Sequence, residues 1–316
     1  MDRVVAVTVT YNDFDYLKKA LEALRHQTYS VYKIIVVDNN STEENRKRLS
    51  NEKDDLVDVL FLTENLGGAG GFEKGMEYAK KHYSADWYWL MDADASPSEN
   101  CLEKLLQYKN WCPQIGILAP LIYGADLREY QLYHHKKLAT FLSRDEKMYD
   151  SYSMIPECSE IEADAFVGPL VSSLAVENLG IADGSLFIYG DDLEYTYRIS
   201  RLYPVLLIRD AIINHRDQPV NGVQRPQNWW KDYYMFRNRI LFIKKYSNSN
   251  VESTIGIFFV KLRLLKQFIL LVRAPYSKKL KRLRFSLLNQ ALNDGLKGVT
   301  GKIIDPVEYN KKIKCL

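Results

Sequence analysis

The sequence predicts an α/β protein: an open, mainly parallel sheet flanked by helices, with a helical extension at its C-terminal end. Three observations carry this. Short β-branched runs alternate with helix-period runs through the first third of the chain. The strand-like runs there are followed by polar or glycine-rich clusters, as at the ligand-binding edge of an open sheet. From Trp229 onwards only helical patterns remain, which divides the chain into residues 1–228 and 229–316.

Val4–Thr10 is a β-branched run suited to a buried strand. Leu17, Ala20, Leu21 and Leu24 then recur at helical spacing. Lys33–Val37 is a second strand, ending in Asp38-Asn39-Asn40-Ser41-Thr42, where Ser41 or Thr42 caps the next helix. Val57–Leu62 is a third strand, followed by a glycine-rich turn at Asn65–Gly71 and a helix through Met76 and Ala79. Trp87–Met91 is a fourth, ending in Asp92-Ala93-Asp94. Ser96-Pro97 starts a helix that buries Leu102, Leu105 and Leu106. The middle is less regular: strands with an aromatic-rich excursion over 117–135, a loop or insertion over 136–160, and a strand over 161–167. A loop with a short helix follows to about Gly184. Phe187–Ile199 turns helical after Gly190-Asp191-Asp192, and Val205–His215 is a strand.

With 316 residues, 47% hydrophobic and 26% charged, the chain can bury a full core, and disorder of the whole chain is not expected. None of the four cysteines (Cys101, Cys112, Cys158, Cys315) forms a C-x-x-C pair, so reduced thiols in a cytosolic protein are expected, not a zinc site or disulfide scaffold. The N-terminal MDRVVAVTVTY lacks the pattern of a signal peptide. No uncharged apolar run reaches the ~18 residues of a membrane span. The net charge of +3 is unevenly spread: residues 230–284 hold 14 Lys/Arg and 2 Asp/Glu, a local +12, against −9 elsewhere. Such a basic part points to an anionic partner.

Four clusters carry candidate chemistry. Asp92 and Asp94, one residue apart at a strand end, suit a hard divalent cation such as Mn2+ or Mg2+ bridging diphosphate oxygens. The same Asp-x-Asp reads equally as a capped turn. Asp191, Asp192 and Glu194 crowd three acids into four residues. One of them can serve as a general base towards an acceptor hydroxyl, or all three can simply favour a helix N-terminus. The run Asn65–Phe72 has glycine at 67, 68, 70 and 71, which lets backbone approach a phosphate or sugar at a helix start. It matches neither G-x-G-x-x-G, since position 73 is Glu73, nor a P-loop, which disfavours NAD and ATP. His215 ends a strand and can complete a metal site or be structural. Trp229 and Trp230, with Tyr233, Tyr234, Arg237 and Arg239, either stack on sugar or pack an amphipathic helix.

The order of these motifs resembles glycosyltransferase family 2, whose fold is GT-A, over roughly residues 3–245. The matching parts are Val7–Asn12, Val36–Ser41, Asn65–Phe72, Asp92–Asp94, and Gly190–Glu194 followed by Tyr195 and Arg198. N-L-G-G-A-G-G-F together with F-I-Y-G-D-D-L-E-Y is most similar to bacterial galactofuranosyltransferases and rhamnosyltransferases; His215 matches the histidine that joins the metal site in the former. The resemblance implies that Thr10, Tyr11 and Asn12 line a nucleotide pocket and Asp38 contacts the uracil or thymine base. Asn65, Gly67, Gly68, Gly70, Gly71 and Asp92 would lie near the donor. Asp92, Asp94 and His215 would hold Mn2+ or Mg2+, and Asp192, or else Asp191, would be the catalytic base. Trp229, Trp230 and Glu194 would face the acceptor. A single inverting displacement follows, with UDP-galactofuranose the preferred donor, dTDP-rhamnose next, and a glycan or lipid-linked glycan of the cell surface as acceptor. The polymerising mycobacterial members are much longer, so addition of a single sugar is expected here.

Residues 255–284 are apolar but interrupted by Lys261, Arg263, Lys266 and Arg273, a pattern for lying on a surface and not for spanning. Attachment to the anionic inner face of the cell membrane is expected, against the alternative of helices packed on the body with a solvated basic face. No nucleic-acid motif accompanies the basic residues, so nucleic acid is not expected. Two other function classes stay open on residues alone. One is a metal-dependent nucleotidyl or phosphoryl transferase; the other is a noncatalytic carbohydrate-binding protein.

Overall fold

The computed structural model describes residues 1–124, 128–216 and 225–315. It divides into two compact units. The first, Met1–Lys137 with Glu146–Gly184 and Asp191–Gln218, contains the large sheet. In chain order it runs β1 (Val4–Thr10), α1 (Phe14–Arg25), β2 (Lys33–Asp38), α2 (Glu43–Ser50), β3 (Val57–Phe61), α3 (Gly67–His82), β4 (Trp87–Asp92), β5 (Ala95–Pro97), α4 (Cys101–Gln107), β6 (Ile117–Gly124) and β7 (Glu129–Tyr130). After a small separate sheet of β8 (Lys136–Leu138) and β9 (Asp145–Lys147) come β10 (Cys158–Glu160), β11 (Val167–Ser172), α5 (Ser173–Leu179), α6 (Asp191–Ser200) and β12 (Val205–His215).

The strand order is β10-β12-β6-β11-β4-β1-β2-β3, with β5 on β12 and β7 on β6. β4, β1, β2 and β3 are parallel neighbours, as are β6 and β12, while β11 runs antiparallel between the two groups. Alternation along β1 divides the core. Val4 and Ala6 face a layer of Leu17, Leu21, Leu24, Leu102 and Leu105 from α1 and α4. Val5 and Val7 face Phe72, Met76, Val176, Tyr195 and Ile199 from α3, α5 and α6. The expected burial of Leu102, Leu105 and Leu106 is met.

Four expectations need correction. The glycine-rich run is not a turn: α3 begins at Gly67, so Gly68, Gly70 and Gly71 are helical. A Cβ on Gly71 would lie 2.4 Å from Val9 Cγ1, and one on Gly75 2.4 Å from Val7 Cγ1, so glycine here lets the helix press onto β1. Ser96-Pro97 does not start a helix. It lies in β5, paired with Ile213 and Asn214, and α4 starts at Cys101. The strand expected over 161–167 begins only at Val167 and runs to Ser172, where a loop was expected. Gly168, where the loop was expected to start, lies at a bulge within the strand; it has φ +94° and its carbonyl accepts from Trp89 Nε1 at 2.8 Å. Within the 136–160 stretch, expected as a loop or insertion, lie β8, β9 and β10.

The second unit comprises Leu138–Asp145, Ser185–Gly190 and Pro219–Leu316. Its helices are α7 (Trp229–Tyr246), α8 (Asn250–Arg273), α9 (Lys278–Lys297) and α10 (Pro306–Lys314). Ser249, Ser277 and Asp305 cap the last three by accepting from amides of the first turn. At its centre Arg237 is fully buried. It donates to the carbonyls of Gly301 (2.6 Å) and Leu186 (2.8 Å) and lies over the Tyr234 ring at 4.8 Å, so neutral acceptors and a ring face hold its guanidinium. Beside it, Asn238 Nδ2 reaches the carbonyls of Leu186 (3.1 Å), Ile188 (3.0 Å) and Tyr189 (2.7 Å). This holds a segment in which Phe187, Tyr189 and Gly190 all have positive φ. Among the described residues no helix is long and apolar enough to cross a membrane.

Candidate active site

The register of the sheet assembles the site. Thr10 pairs with Asp38 and Val9 with Asp92, so the ends of β1, β2 and β4 coincide. β12 runs antiparallel to β5 with His215 opposite Ala95, which carries the histidine to the Asp-x-Asp turn. Ligand atoms of Asp92, Asp94 and His215 all lie within 4.8 Å of one another, and His215 Nε2 is 3.5 Å from Asp94 Oδ1. On its other side, His215 Nδ1 meets Gln131 Oε1 at 2.7 Å. An amide oxygen there accepts the Nδ1 proton and leaves the Nε2 lone pair turned to the carboxylates. Two carboxylates and an imidazole with this tautomer fit an ion of the Mn2+ or Mg2+ type.

A second acidic group adjoins the first. Burial pushes Asp92 well above the usual carboxylate range, and the charges of Asp94, Asp191 and Asp192 add to this. Asp191 is pushed up to about 8, by burial first and by Asp192 second. Asp191 is buried, with Oδ2 4.0 Å from where a Gly68 Cβ would stand; Asp192 is the more open of the pair. Thr196 fixes the start of α6, donating to the Asp192 carbonyl at 2.8 Å. Desolvation also lowers the half-buried His134 well below the ordinary imidazole range, with help from His215 and Lys136, which makes it neutral near Gln131.

At the ends of β1 and β2, Thr10, Asp13, Phe14, Asp38, Ser41 and Asn45 surround a narrow crevice that is closed to solvent in this structure. Thr10 Oγ1 is buried there with no hydrogen-bond partner. Asp38 is fully buried and held by Arg46 Nε at 2.7 Å. Asn12, in the left-handed region, donates its amide to Ser41 Oγ (2.8 Å) and accepts from the Thr42 amide at Oδ1 (2.7 Å), tying the β1 and β2 turns together. Tyr11 is 45% exposed at the rim. Asn65 Oδ1 accepts from the Gly67 amide at 2.8 Å.

Sequence reasoning missed three residues here. Gln131 orients His215. Asn39 bonds the Leu66 amide and the Gly67 carbonyl, both at 2.8 Å, and so pins the start of α3. Arg216 donates its amide to the Asp94 carbonyl (3.3 Å), stacks on Tyr16 at 4.4 Å and sits 3.7 Å from Asp13. Its signal was simply its place directly after His215. Three expected acceptor residues are engaged otherwise. Glu194 is buried against Arg198 at 3.2 Å, where it braces α6. Trp229 is fully buried in the helical unit, edge-on to Tyr276 and 4.7 Å from the Arg284 guanidinium, so its faces are already packed. Trp230 is also buried, near Tyr234.

Comparison with known proteins bears on this geometry. A family model described as glycosyl transferase family 2 matches residues 5–167. Galactofuranosyltransferase GlfT1 of Mycolicibacterium smegmatis is 28% identical over 249 residues, covering 75% of this chain and 81% of that protein. Two solved structures superpose. GalNAc-T7 with UDP, GalNAc and Mn2+ has a TM-score of 0.63 at 15% identity, over 94% of this chain and 56% of its own length. The mannosyltransferase PcManGT of Pyrobaculum calidifontis with GDP-Man and Mn2+ has a TM-score of 0.53 at 14% identity, over 93% of this chain and 87% of its own. At such identities the likeness speaks to the fold, which is GT-A.

Proposed function

The chain belongs to glycosyl transferase family 2 and is a glycosyltransferase, and from that premise we propose an inverting, metal-dependent hexosyl transfer from a nucleotide sugar. The observation that carries the mechanism is the meeting of Asp92, Asp94 and His215 beside Asp191 and Asp192. UDP-galactofuranose is the preferred donor, supported by the relation to a galactofuranosyltransferase, and dTDP-rhamnose is next. The acceptor is a glycan or lipid-linked glycan, and the setting is cell-surface polysaccharide synthesis at the inner face of the membrane.

Asp92, Asp94 and His215 would hold the cation, which when bound supplies Lewis-acid stabilisation of the departing nucleoside diphosphate. Thr10, Asp38 and Ser41, which the β1–β2 register brings together, flank the nucleoside. The first turn of α3, at Gly68, stands beside Asp191 and offers backbone with no side chain in the way. Asp192, more open than Asp191, removes the proton from the acceptor hydroxyl as it attacks the anomeric carbon. Asp191, protonated up to about pH 8 while the cation is absent, stays close enough to tune its neighbour.

The test incubates the protein with Mn2+, a panel of nucleotide sugars and a lipid-linked acceptor, and follows released UDP or dTDP. One donor should turn over, activity should vanish with EDTA, and Asp192→Asn should lower kcat about 10²–10⁴-fold. No release from any donor, together with no donor binding by calorimetry, would overturn the proposal. Nucleotide release without sugar transfer would favour a phosphoryl transferase.

A further inference from the structure

Helix α8 carries two apolar faces. Gly256, Val260, Leu264 and Leu271 form the buried one. Ile255, Phe258, Leu262, Leu265, Ile269 and Val272 form the other, with spacing that alternates strictly between three and four residues. At about 100° per residue the second row lies opposite the first. Phe258, Leu262, Leu265, Ile269 and Val272 are 55%, 43%, 52%, 48% and 74% exposed. Single exposed apolar residues are ordinary, but a continuous row roughly 25 Å long marks an interaction surface.

Three-four alternation is also the seam of a coiled coil, so a second copy of the chain is one candidate occupant. The flanking charges decide against it. Lys261, Lys266 and Arg273 border the row, and no Asp or Glu occurs anywhere from Ser253 to Asn293, a stretch with nine Lys/Arg. Two α8 helices packed along this seam would set cations against cations with no acid to pair them. Of the nine, Arg263 is engaged with the Ser143 carbonyl (3.2 Å) and Arg284 with Asp232 (3.0 Å). The others cluster about the α8–α9 turn or flank the row. Lys281 Nζ donates to the Val272 carbonyl at 2.7 Å, which places the basic start of α9, with Lys278, Lys279 and Arg282, at the end of the apolar row.

We propose that this face of α8 and the start of α9 seat the protein on an anionic lipid bilayer, with α8 parallel to the surface. The apolar row enters the boundary between headgroups and acyl chains, and the flanking lysines and arginines extend along their stems to the lipid phosphates. The same cations prevent α8 from spanning. The argument rests on apolar and charge patterning and not on the transferase reading, so it is tested without donor or acceptor.

The experiment is flotation of the full chain with vesicles of phosphatidylcholine containing about one-third phosphatidylglycerol, beside vesicles of phosphatidylcholine alone. The protein should float with the first, not the second, and raised salt should weaken binding. Leu265→Glu/Ile269→Glu and Lys278→Glu/Lys279→Glu/Arg282→Glu should each reduce binding at least about tenfold while circular dichroism and the urea unfolding midpoint stay unchanged. Absence of flotation with anionic vesicles, or flotation of the Leu265→Glu/Ile269→Glu variant equal to the parent, would overturn the proposal. So would a dimer by light scattering that this variant makes monomeric without any vesicle binding, since the row would then be a self-interface.

Discussion

A histidine serves a cation only through a nitrogen that carries no proton. For His215 that condition is set by Gln131, whose Oε1 lies 2.7 Å from Nδ1. Gln131→Leu removes the acceptor and frees the ring to turn or change tautomer. Mn2+ affinity by calorimetry should fall about 10–100-fold with the fold intact, and Gln131→Glu should preserve it; equal affinity in Gln131→Leu would mean the glutamine does not orient the ring. This also marks how far the sequence was legible at residue scale. Asp92, Asp94, Asp191, Asp192 and His215 announce themselves as chemically distinctive residues at the ends of strand-like or apolar runs. Gln131 sits in an excursion with no periodicity, and its partner is 84 positions away. Only the β6–β12 pairing brings the two together.

At the scale of elements, α3 shows why glycine can be misread. Glycine density reads as a turn because glycine is costly in a helix, yet Gly71 and Gly75 are helical because valines of β1 occupy the space of their side chains. Gly71→Ala should therefore destabilise the protein by about 1–3 kcal/mol in urea unfolding. Adding Val9→Ala, which removes the two methyl groups 2.4 and 3.1 Å from the new Cβ, should recover part of that loss. A double variant no more stable than Gly71→Ala would show that backbone, not valine, sets the limit. The parallel strands, whose buried runs are nearly continuous, were readable almost to the residue. β5 and β11 were not, because Ser96-Pro97 and Gly168-Pro169 carry local signals that pairing to β12 and β4 overrides.

Helices α7 and α9 supply a pH effect. Asp232 on α7 pairs with Arg284 on α9, yet burial outweighs the pairing and pushes its carboxyl up to about 6. The fold favours the protonated acid. That contribution is whole below about pH 3.8, is lost as pH rises to about 6, and is absent above it. Asp232→Asn keeps an oxygen for Arg284 and should flatten the decline in stability between pH 4 and 6, on the order of 2 kcal/mol. Urea midpoints across that range check this; an unchanged slope would assign it to other groups.

At the scale of the whole molecule, the chain passes from the sheet-bearing unit through Ser185–Gly190, which groups with the helices, and returns at Asp191. The six residues before Asp191 and Asp192, the proposed catalytic acids, thus take their backbone shape from Asn238 and Arg237 on α7. Asn238→Ala should lower kcat about tenfold or more through misplacement of the following acids, with donor KM little altered. Hydrogen exchange at residues 187–190 should speed up in parallel; normal protection with normal kcat would show the hold to be dispensable. One practical consequence concerns dissection of the protein. The match to the family model ends at residue 167, and a cut before Trp229 looks natural from the helical pattern. Either fragment would retain Asp92 and Asp94 but lose α7, which holds the residues before Asp191, and the shorter would lose Asp191 and Asp192 as well. On the proposed mechanism, the smallest active piece would therefore be longer than the smallest piece that carries the motifs.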